Sequence, residues 1–388
     1  KYSYLVNGPM KTITDKNSNT INIIYYPDYT ASELIGCNKR ISFSYDTIGR
    51  KTVVTDHLSA GNNQVTTYTY QKIDDIPWVT SISGNCCGFA QKYEYDASGN
   101  ITKRTDAKGN VYTFTHDDKK NVLTSTDPLG NQLKFTYTSF NRVKTFTDAK
   151  GKLYTINYDT RGNPVQLIQP GGFAGVYSYA PNGDLVSYTD PNGNVTTMTY
   201  DAYGYLTQIN RPLGISVSYI NDARGNITSF TDARGFMYTG EYDLLNRLVK
   251  TTNPSNKSRT YTYDAAGNVI STKNENGQLT FLAYDASNRL VQLTNAKGFK
   301  SYMAYDAMDN MLNSKDPEGN TTTYVYDKLN RMIAATDAAG NKSQFAYDAN
   351  GNLVTAITAT GSTITNTYDK LDRITRSQDQ DGIIFNRE

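Results

Sequence analysis

The chain has 388 residues, of which 20% are charged and 38% hydrophobic, and its formal net charge is +2. Its 32 Tyr, against 13 Phe and 1 Trp, accompany an abundance of Thr, Asn and Gly, which predicts an almost all-β protein and argues against helical bundles and parallel α/β sheets. The near-neutral charge argues against a nucleic-acid-binding protein, and no run of 18 apolar residues indicates a membrane span.

Residues 1–94 contain a degenerate version of a pattern that becomes regular later in the chain. Tyr45-Asp46-Thr47-Ile48-Gly49 is one copy, and Tyr70 and Tyr95 follow after steps of 25 residues. The segments around Asp74-Asp75 and Gly84-Asn85-Cys86-Cys87-Gly88 interrupt it. We expect an irregular opening region with lengthened loops, continuous with the same sheet. Because the chain lacks an initial Met and stops inside the pattern, we expect it to be a piece of a longer protein that continues beyond residue 388.

Fourteen regular repeats of 21 residues occupy residues 95–388. In steps of 21 from Tyr95, the chain has Tyr at twelve of fourteen positions, and Asp follows this Tyr column in twelve repeats. Gly, Asn or Asp stands four positions after the column in thirteen repeats, and Gly stands fourteen positions after it in thirteen. The candidate structural positions are Tyr95, Asp96, Gly99, Tyr158, Asp159, Gly162, Tyr200, Asp201, Tyr263, Asp264, Gly267, Tyr284, Tyr305, Tyr326, Tyr347, Gly351 and Tyr368.

Each repeat carries two turn signatures. The first, Asp-x-x-Gly directly after the Tyr column, is called the YD turn, and the second, which begins ten residues later, is called the DxxG turn; the next YD turn follows after eleven residues. In both, the Asp side chain can accept a hydrogen bond from a backbone N–H two residues on, and Gly tolerates the positive φ that closes the turn. Gly267 is one position where such a φ is expected.

Stretches of about six residues with alternating character connect the turns, as in 321–326, where Tyr324 and Tyr326 share one face. Two strands and two turns make one β-hairpin per repeat. Since neighbouring strands rotate by about 20–25°, a meander of about 28 strands must coil on itself. The predicted fold is therefore a coiled antiparallel β-sheet that forms a shell or barrel, with polar face columns that favour a wetted interior over a packed one. A parallel β-solenoid with 21-residue coils is the alternative.

The Y-D-x-x-G-N-hydrophobic and D-x-x-G-N elements resemble the YD repeat of the rearrangement-hotspot (Rhs) and teneurin superfamily. The resemblance covers residues 95–388 and extends more weakly over 25–94. It implies a large β-shell, which in bacterial polymorphic toxins encloses a C-terminal toxic domain and in teneurins belongs to an extracellular adhesion protein. The family's self-cleaving D-P-x-G-L core has no counterpart beyond Asp127-Pro128-Leu129-Gly130, which stands mid-array in a turn column, so we interpret it as a turn.

Candidate chemical groups are few, and each has a structural interpretation. His116 occupies the Tyr column as an aromatic-sized substitute, and His57 is expected in a solvated, lengthened turn. Cys86-Cys87 is interpreted as an ordinary loop or a single bridge to Cys37. The Asp columns invite a calcium hypothesis, but turn capping explains them. The Tyr column either stacks on sugars or stabilises neighbouring strands, and we favour the second role.

We therefore expect no enzyme, no cofactor and no bound metal. The leading hypothesis is a structural β-shell segment of a secreted or surface protein of bacterial origin. Its expected partner is its own C-terminal cargo or toxin domain, or further YD repeats of the parent chain. The alternative is a teneurin-like adhesin that binds a cell-surface glycan or protein. Neither hypothesis involves nucleic acid or a membrane span in this segment.

Overall fold

The computed structural model describes residues 2–5, 9–14, 20–28, 30–35, 40–57, 63–73, 76–84 and 90–386. These residues form 37 β-strands and one short 3-10 helix, Pro212–Gly214. The strands up to Tyr95 are β1 (Tyr2–Tyr4), β2 (Met10–Thr14), β3 (Thr20–Tyr25), β4 (Ala31–Ile35), β5 (Arg40–Asp46), β6 (Lys51–His57), β7 (Gln64–Ile73), β8 (Ile76–Gly84) and β9 (Ala90–Tyr95).

From β9 onward the strands alternate between a forward strand that ends at the Tyr column and a shorter return strand. The forward strands are β9, β11 (Val111–His116), β13 (Gln132–Tyr137), β15 (Leu153–Tyr158), β17 (Ala174–Tyr179), β19 (Val195–Tyr200), β21 (Ser216–Asn221), β23 (Met237–Tyr242), β25 (Ser258–Tyr263), β27 (Leu279–Tyr284), β29 (Lys300–Tyr305), β31 (Thr321–Tyr326), β33 (Lys342–Tyr347) and β35 (Thr363–Tyr368). The return strands are β10 (Ile101–Thr105), β12 (Val122–Thr126), β14 (Val143–Thr147), β16 (Pro164–Ile168), β18 (Leu185–Thr189), β20 (Leu206–Asn210), β22 (Ile227–Thr231), β24 (Leu248–Thr252), β26 (Val269–Lys273), β28 (Leu290–Thr294), β30 (Met311–Lys315), β32 (Met332–Thr336), β34 (Leu353–Ile357) and β36 (Ile374–Asp379), and β37 (Gly382–Asn386) follows the last of them.

Each hairpin pairs its two strands antiparallel, and successive hairpins continue the meander. Strands β1 to β11 pair consecutively, as do β13 to β26 and β27 to β37. The predicted antiparallel hairpins are therefore confirmed. The parallel solenoid is wrong, because two reversing turns in each repeat send every strand back beside the strand before it.

A β-bulge recurs at one place in the hairpins. In the hairpin of β33 and β34, Ala346 pairs with Thr355 but Tyr347 pairs with Leu353, so two residues of the return strand stand opposite one residue of the forward strand. The same shift in strand pairing occurs at the Tyr column in neighbouring repeats. Because a bulge increases the local right-handed twist, a bulge in each hairpin adds regularly to the coiling of the sheet.

The chain divides into two compact units. Unit 1 comprises residues 1–115, 126–131 and 281–388, and unit 2 comprises residues 116–125 and 132–280. Among the described residues only Gly99, Gly175, Ser229 and Ala334 are buried. A packed barrel would bury a continuous apolar stripe, so this distribution agrees with the polar face columns of the sequence. The predicted division at residues 94 and 95 stays a prediction.

Residues 1–94 pair as strands of the same meander, but one position differs from expectation. His57 was expected in a solvated turn, whereas it ends β6 and is half-buried. Its Nε2 atom lies 2.8 Å from the Oγ atom of Ser42 on the adjacent strand. The turn was misplaced because β5 and β6 are each seven residues long, longer than the regular strands of the array. Cys37, Cys86 and Cys87 lie outside the described residues.

Candidate functional site

The YD turn is a carboxylate-capped turn. In the turn that begins at Asp264, Oδ1 accepts hydrogen bonds from the backbone N–H groups of Gly267 (2.8 Å) and Asn268 (2.9 Å), and Oδ2 accepts one from the side-chain amide of Asn268 (2.8 Å). Gly267 has φ +101°, the left-handed conformation that the sequence predicts. One Asp thus satisfies three donors, which explains why Asp, Gly and Asn recur together.

The other predicted turn positions behave in the same way. Asp159 accepts bonds from the backbone of Arg161 and Asn163, and Asp201 from the backbone of Tyr203 and Tyr205. The positive φ recurs at predicted glycines of the YD turns, which are Gly99 (+81°), Gly162 (+88°) and Gly351 (+97°). At Asp96 the capped residues are Ser98 and Asn100.

The DxxG turn repeats this arrangement at the opposite ends of the strands. Asp106 Oδ1 accepts hydrogen bonds from the backbone N–H groups of Lys108 (3.0 Å) and Asn110 (2.8 Å). Asp127 accepts the equivalent bonds from Leu129 and Asn131, both at 2.9 Å, so the Asp127-Pro128 pair lies in an ordinary capped turn. The sheet therefore has two edges of capped turns, which we call the YD edge and the DxxG edge.

Tyrosines of the Tyr column connect each repeat to the repeat before it. The hydroxyl of Tyr263 donates to the backbone carbonyl of Leu248 at 2.6 Å, and Tyr347 donates to Met332 at 2.9 Å. Leu248 and Met332 each begin a return strand, beside its bulge. Because a bulge interrupts the ladder, a nearby carbonyl needs another donor, and the phenol supplies it.

The same bond recurs at further predicted positions. It joins Tyr95 to Val79 (2.6 Å), Tyr158 to Val143 (2.7 Å), Tyr200 to Leu185 (2.9 Å), Tyr305 to Leu290 (3.0 Å) and Tyr368 to Leu353 (2.8 Å). Tyr284 and Tyr326 stand opposite Leu290 and Met332 in the strand register. At the column's exceptional Asn221, the side-chain amide donates to Leu206 instead, whereas the half-buried His116 has an Nδ1 atom without a hydrogen-bond partner among the described residues.

A further contact between neighbouring repeats comes from the residue five positions after the Tyr column. The Nε atom of Arg331 donates to Asp327 in its own YD turn (2.7 Å), and its Nη1 atom donates to the carbonyl of Asp348 in the next one (2.9 Å). Its guanidinium also lies 4.8 Å from the ring centre of Tyr347. Sequence reasoning missed this role, although Arg recurs every 42 residues at positions 247, 289, 331 and 373.

Unit 1 contains a contact between distant repeats that we call the edge clasp, formed by Asp106, Lys108, Asp348, Asn350 and Asp372. The Nζ atom of Lys108 lies 3.0 Å from Asp348 and 3.4 Å from Asp372. The side-chain amide of Asn350 donates to Asp106 at 2.9 Å, across 244 residues of sequence. The clasp therefore joins a DxxG turn to two YD turns that come more than eleven repeats later.

A small polar cavity of about 180 Å³ lies beside the edge clasp. Arg104 lines it, with its guanidinium 4.2 Å from the ring centre of Tyr112. The Nε atom of Arg104 is buried and has no hydrogen-bond partner in the described structure. Sequence reasoning identified neither the clasp nor this cavity.

The hydrogen bonds of the capped turns lower the pKa of Asp369 and of Asp190. The hydrogen bond from Arg373 lowers the pKa of Asp369 from 3.8 to about 2. The Asn194 side chain likewise lowers the pKa of Asp190. Burial raises the pKa of the hydroxyls of Tyr263 and Tyr368 in the Tyr column. Both shifts favour the charge states that the observed hydrogen bonds require.

In the described part of the chain, no group of three or more His, Cys, Asp or Glu side chains is placed to hold a metal ion. The hydrogen bond between Ser42 and His57 joins two adjacent strands, which is a structural role. No helix formed by the described residues has the length and apolarity needed to cross a bilayer.

Comparison with known proteins gives two matching family models. The Teneurin YD-shell matches residues 34–252 and 291–386. The RHS Repeat matches residues 242–279 and 263–300. No curated protein matches the chain.

Solved structures with a similar fold come from Tc toxins. The chain matches the crystal structure of TcdB2-TccC3-Cdc42 with a TM-score of 0.66 and 16% identity over 96% of its length. It matches TcdB2-TccC3 without its hypervariable C-terminal region with a TM-score of 0.57 and 13% identity over 98%. It matches the Photorhabdus luminescens Tc holotoxin pore with a TM-score of 0.54 and 13% identity over 94%. The chain spans 22%, 23% and 21% of those chains, respectively.

Proposed function

Because the chain belongs to the Teneurin YD-shell family, whose fold is that of a structural shell, we propose that it forms part of a shell wall around a C-terminal cargo domain of its parent protein. The wall acts sterically, since a hydrogen-bonded sheet keeps proteases and solvent components away from what lies behind it. In this proposal the chain performs no catalysis, and the cargo domain is its partner.

The edge clasp is the observation that carries this proposal. A wall made from one long ribbon has to join its successive stretches where strands do not pair. The clasp makes such a join inside unit 1, between Lys108 and both Asp348 and Asp372. It uses turns rather than strand edges, and charged and amide groups rather than apolar ones. This type of join lets the sheet continue without exposing unpaired backbone.

The names of two similar structures support a toxin as the class of cargo. One is named for a Tc holotoxin pore, and another for the absence of a hypervariable C-terminal region. A region that varies at the C-terminus of a shared scaffold is what a wall with exchangeable cargo requires. By the same reasoning we propose a toxin or effector as the cargo, and export to the cell surface or the extracellular space.

The test is limited proteolysis of the full parent protein, followed by intact-mass analysis. The expected result is a C-terminal segment that stays intact while the array is native and becomes digestible when the array is unfolded with denaturant. Free cargo domain, produced alone, is the matched control and should be digested at all denaturant concentrations that unfold it.

Rapid digestion of everything after the array, with the array itself resistant, contradicts enclosure. That outcome supports the alternative, in which the array is an adhesin that presents its surface to a glycan or protein partner.

A further inference from the structure

Arg104 is a charged side chain in a column of the repeat that is otherwise uncharged. It stands nine positions after the Tyr column, where the other thirteen repeats have Ala, Ser, Thr, Leu, Ile, Phe or Tyr. In the strand register Arg104 lies between Tyr93 of β9 and Tyr112 of β11. Since the other repeats form the sheet without a charge at this position, the sheet itself does not account for a guanidinium here.

The guanidinium of Arg104 lacks an acceptor. It lines the polar cavity beside the edge clasp together with Asp106 and Asp372, yet it forms no hydrogen bond or ion pair with any residue that the structure describes. Its contact is with the ring of Tyr112, at 4.2 Å from the ring centre. A half-buried guanidinium with unused donors is unfavourable, because the loss of hydration is not compensated. The cavity therefore favours a ligand that brings an acceptor.

Two further side chains of the cavity wall have unused donors. The Oε1 atom of Gln91 accepts a hydrogen bond from the hydroxyl of Tyr93 at 2.7 Å, which leaves the side-chain NH2 group of Gln91 for another partner. The hydroxyl of Tyr112 forms no hydrogen bond within the described ranges of the chain. Arg104, Gln91 and Tyr112 therefore offer N–H and O–H donors to the same small space.

The acids of the cavity wall, in contrast, already have donors. Asp106 accepts hydrogen bonds from the backbone N–H groups of Lys108 and Asn110. It accepts two more from the side-chain amides of Asn110 and Asn350. Asp372 accepts one from Asn350 at 3.1 Å and pairs with Lys108 at 3.4 Å. The wall thus combines acids that are occupied with donors that are not, so its complement is an acceptor rather than a cation.

We propose that the cavity binds a small monocarboxylate, such as acetate or propionate, through the guanidinium of Arg104. The planar guanidinium presents its donors in a fork that matches a carboxylate. The volume of about 180 Å³ suits a ligand of this size, since a cavity of about 150 Å³ holds benzene. A second negative charge on the ligand would lie near Asp106 and Asp372, and like charges repel, so dicarboxylates and phosphate are disfavoured.

The ligand would also hold the edge clasp closed. Arg104 and Tyr112 belong to β10 and β11, whereas Asn350 and Asp372 belong to YD turns of two later repeats, and all four line the cavity in unit 1. A carboxylate bound between them adds a contact across the same join that Lys108 makes. Because a ligand that binds only the folded form stabilises it, acetate should raise the thermal midpoint. This inference does not depend on the cargo, since every group that it uses lies in the 388-residue chain.

Calorimetric titration of the 388-residue chain with sodium acetate at neutral pH tests the proposal, with the ionic strength held constant by sodium chloride. We expect saturable binding, a rise in the thermal midpoint that chloride alone does not produce, and slower hydrogen exchange at 106–110 and 348–352. Succinate and phosphate should bind about tenfold more weakly than acetate, because each brings a second negative charge to the acids of the wall.

Three variants locate the site. Arg104→Gln should weaken acetate binding about tenfold or more, since it removes the guanidinium fork. Arg142→Gln is the matched control and should keep the wild-type affinity, because Arg142 also packs on a tyrosine, 5.8 Å from the ring centre of Tyr158, but is exposed. Tyr112→Phe retains the ring beside Arg104 and removes one donor, so it should weaken acetate binding without disturbing the fold.

Two results would overturn the proposal. The first is a wild-type chain that responds to acetate and to chloride alike, and the second is an acetate affinity that Arg104→Gln leaves undiminished. If Arg104→Gln does not fold, Tyr112→Phe decides the matter, and an affinity equal to that of the wild type then overturns the proposal.

Discussion

The Nζ atom of Lys108 lies 3.0 Å from the Oδ2 atom of Asp348, although more than eleven repeats separate the two residues in the chain. Lys108 also reaches Asp372, and the two aspartates belong to successive YD turns. One lysine therefore joins two turns of one stretch of the array to a turn of another. Burial by itself lowers the pKa of Lys108, but the two carboxylates outweigh it and raise the pKa above its ordinary value. The closed clasp therefore favours the charged form of the lysine.

Replacing Lys108 with Met should loosen the edge clasp. The substitution leaves Asp348 and Asp372 close together without their shared cation. Because these groups are partly exposed, we expect the free energy of unfolding to fall by only about 1 kcal/mol. Hydrogen exchange should rise locally at 106–110 and 348–352. Lys250→Met, which removes the more exposed pair with Glu241, is the matched control and should cost less. Equal effects for the two variants would show that the clasp is no stronger than a surface ion pair.

Replacing Gly99 with Ala should destabilise the array more than the same change at Gly109. Both residues have positive φ, +81° and +84°, so both substitutions carry the strain of a left-handed alanine, about 1 kcal/mol. Only at Gly99 would the added Cβ lie 2.7 Å from the ring of Trp78, whereas nothing lies within 4 Å of it at Gly109. Overpacking of this kind should lower the free energy of unfolding by about a further 1–3 kcal/mol. Denaturant midpoints of the two variants measure the difference, and identical midpoints would contradict the packing of Trp78 on the turn.

Replacing Tyr263 with Phe should destabilise the array because a hydrogen bond is lost, although the packing of the ring is kept. The substitution retains the ring but removes the 2.6 Å hydrogen bond to the carbonyl of Leu248. Because this half-buried carbonyl then lacks its donor, the free energy of unfolding should fall by about 1–3 kcal/mol. The control is Tyr219→Phe, since the ring of Tyr219 packs on Phe230. Hydrogen exchange in β24 and β25 is the measurement, and it should accelerate in the Tyr263 variant. A change no larger than that of the control would mean that the hydroxyl contributes little.

Acid should destabilise the array through its capped turns. The folded pKa of Asp369 is about 2, below the unfolded value of 3.8. Since the pKa is depressed in the folded state, the stabilisation is present above the unfolded value and is lost as pH falls through the folded value. Thermal midpoints measured from pH 6 to about pH 2 should therefore fall mainly below about pH 4. Asp369→Asn should make this fall shallower, whereas Asn at the exposed Asp118 should not change it.

Alkali should also destabilise the array, in this case through tyrosine hydroxyls whose pKa is raised in the folded state. Burial raises the folded pKa of Tyr263 above its ordinary value of 10. The neutral phenol is thus favoured in the folded state, and its contribution is present below the unfolded value and lost as pH rises through the folded one. Thermal midpoints measured above about pH 9 should decline, and Tyr263→Phe should reduce the decline. If the thermal midpoint of the variant falls with pH as steeply as that of the wild type, the hydroxyl of Tyr263 does not contribute to alkaline unfolding.

Much of the local structure could be predicted because its causes lie within one repeat. Asp264, Gly267 and Asn268 fall inside five residues, so the capped turn can be deduced from their order alone. The arginine contacts could also have been predicted, since Arg247 and Arg289 belong to a series with a period of 42 residues. The bulge was harder to predict, because Tyr347 and Leu353 carry no residue type that marks it.

The two turn types and the length of the strands between them follow from the order of residues alone, since they depend on contacts within one or two repeats. The strand pairing was needed to distinguish antiparallel hairpins from a parallel solenoid. The contact between Lys108 and Asp348 is apparent only from the folded chain. The physical reason is that twist accumulates over more than twenty strands, and it varies by about 10–35° from one pair to the next. A small change in twist per strand therefore changes which distant turns face one another, and no short segment of sequence encodes that sum.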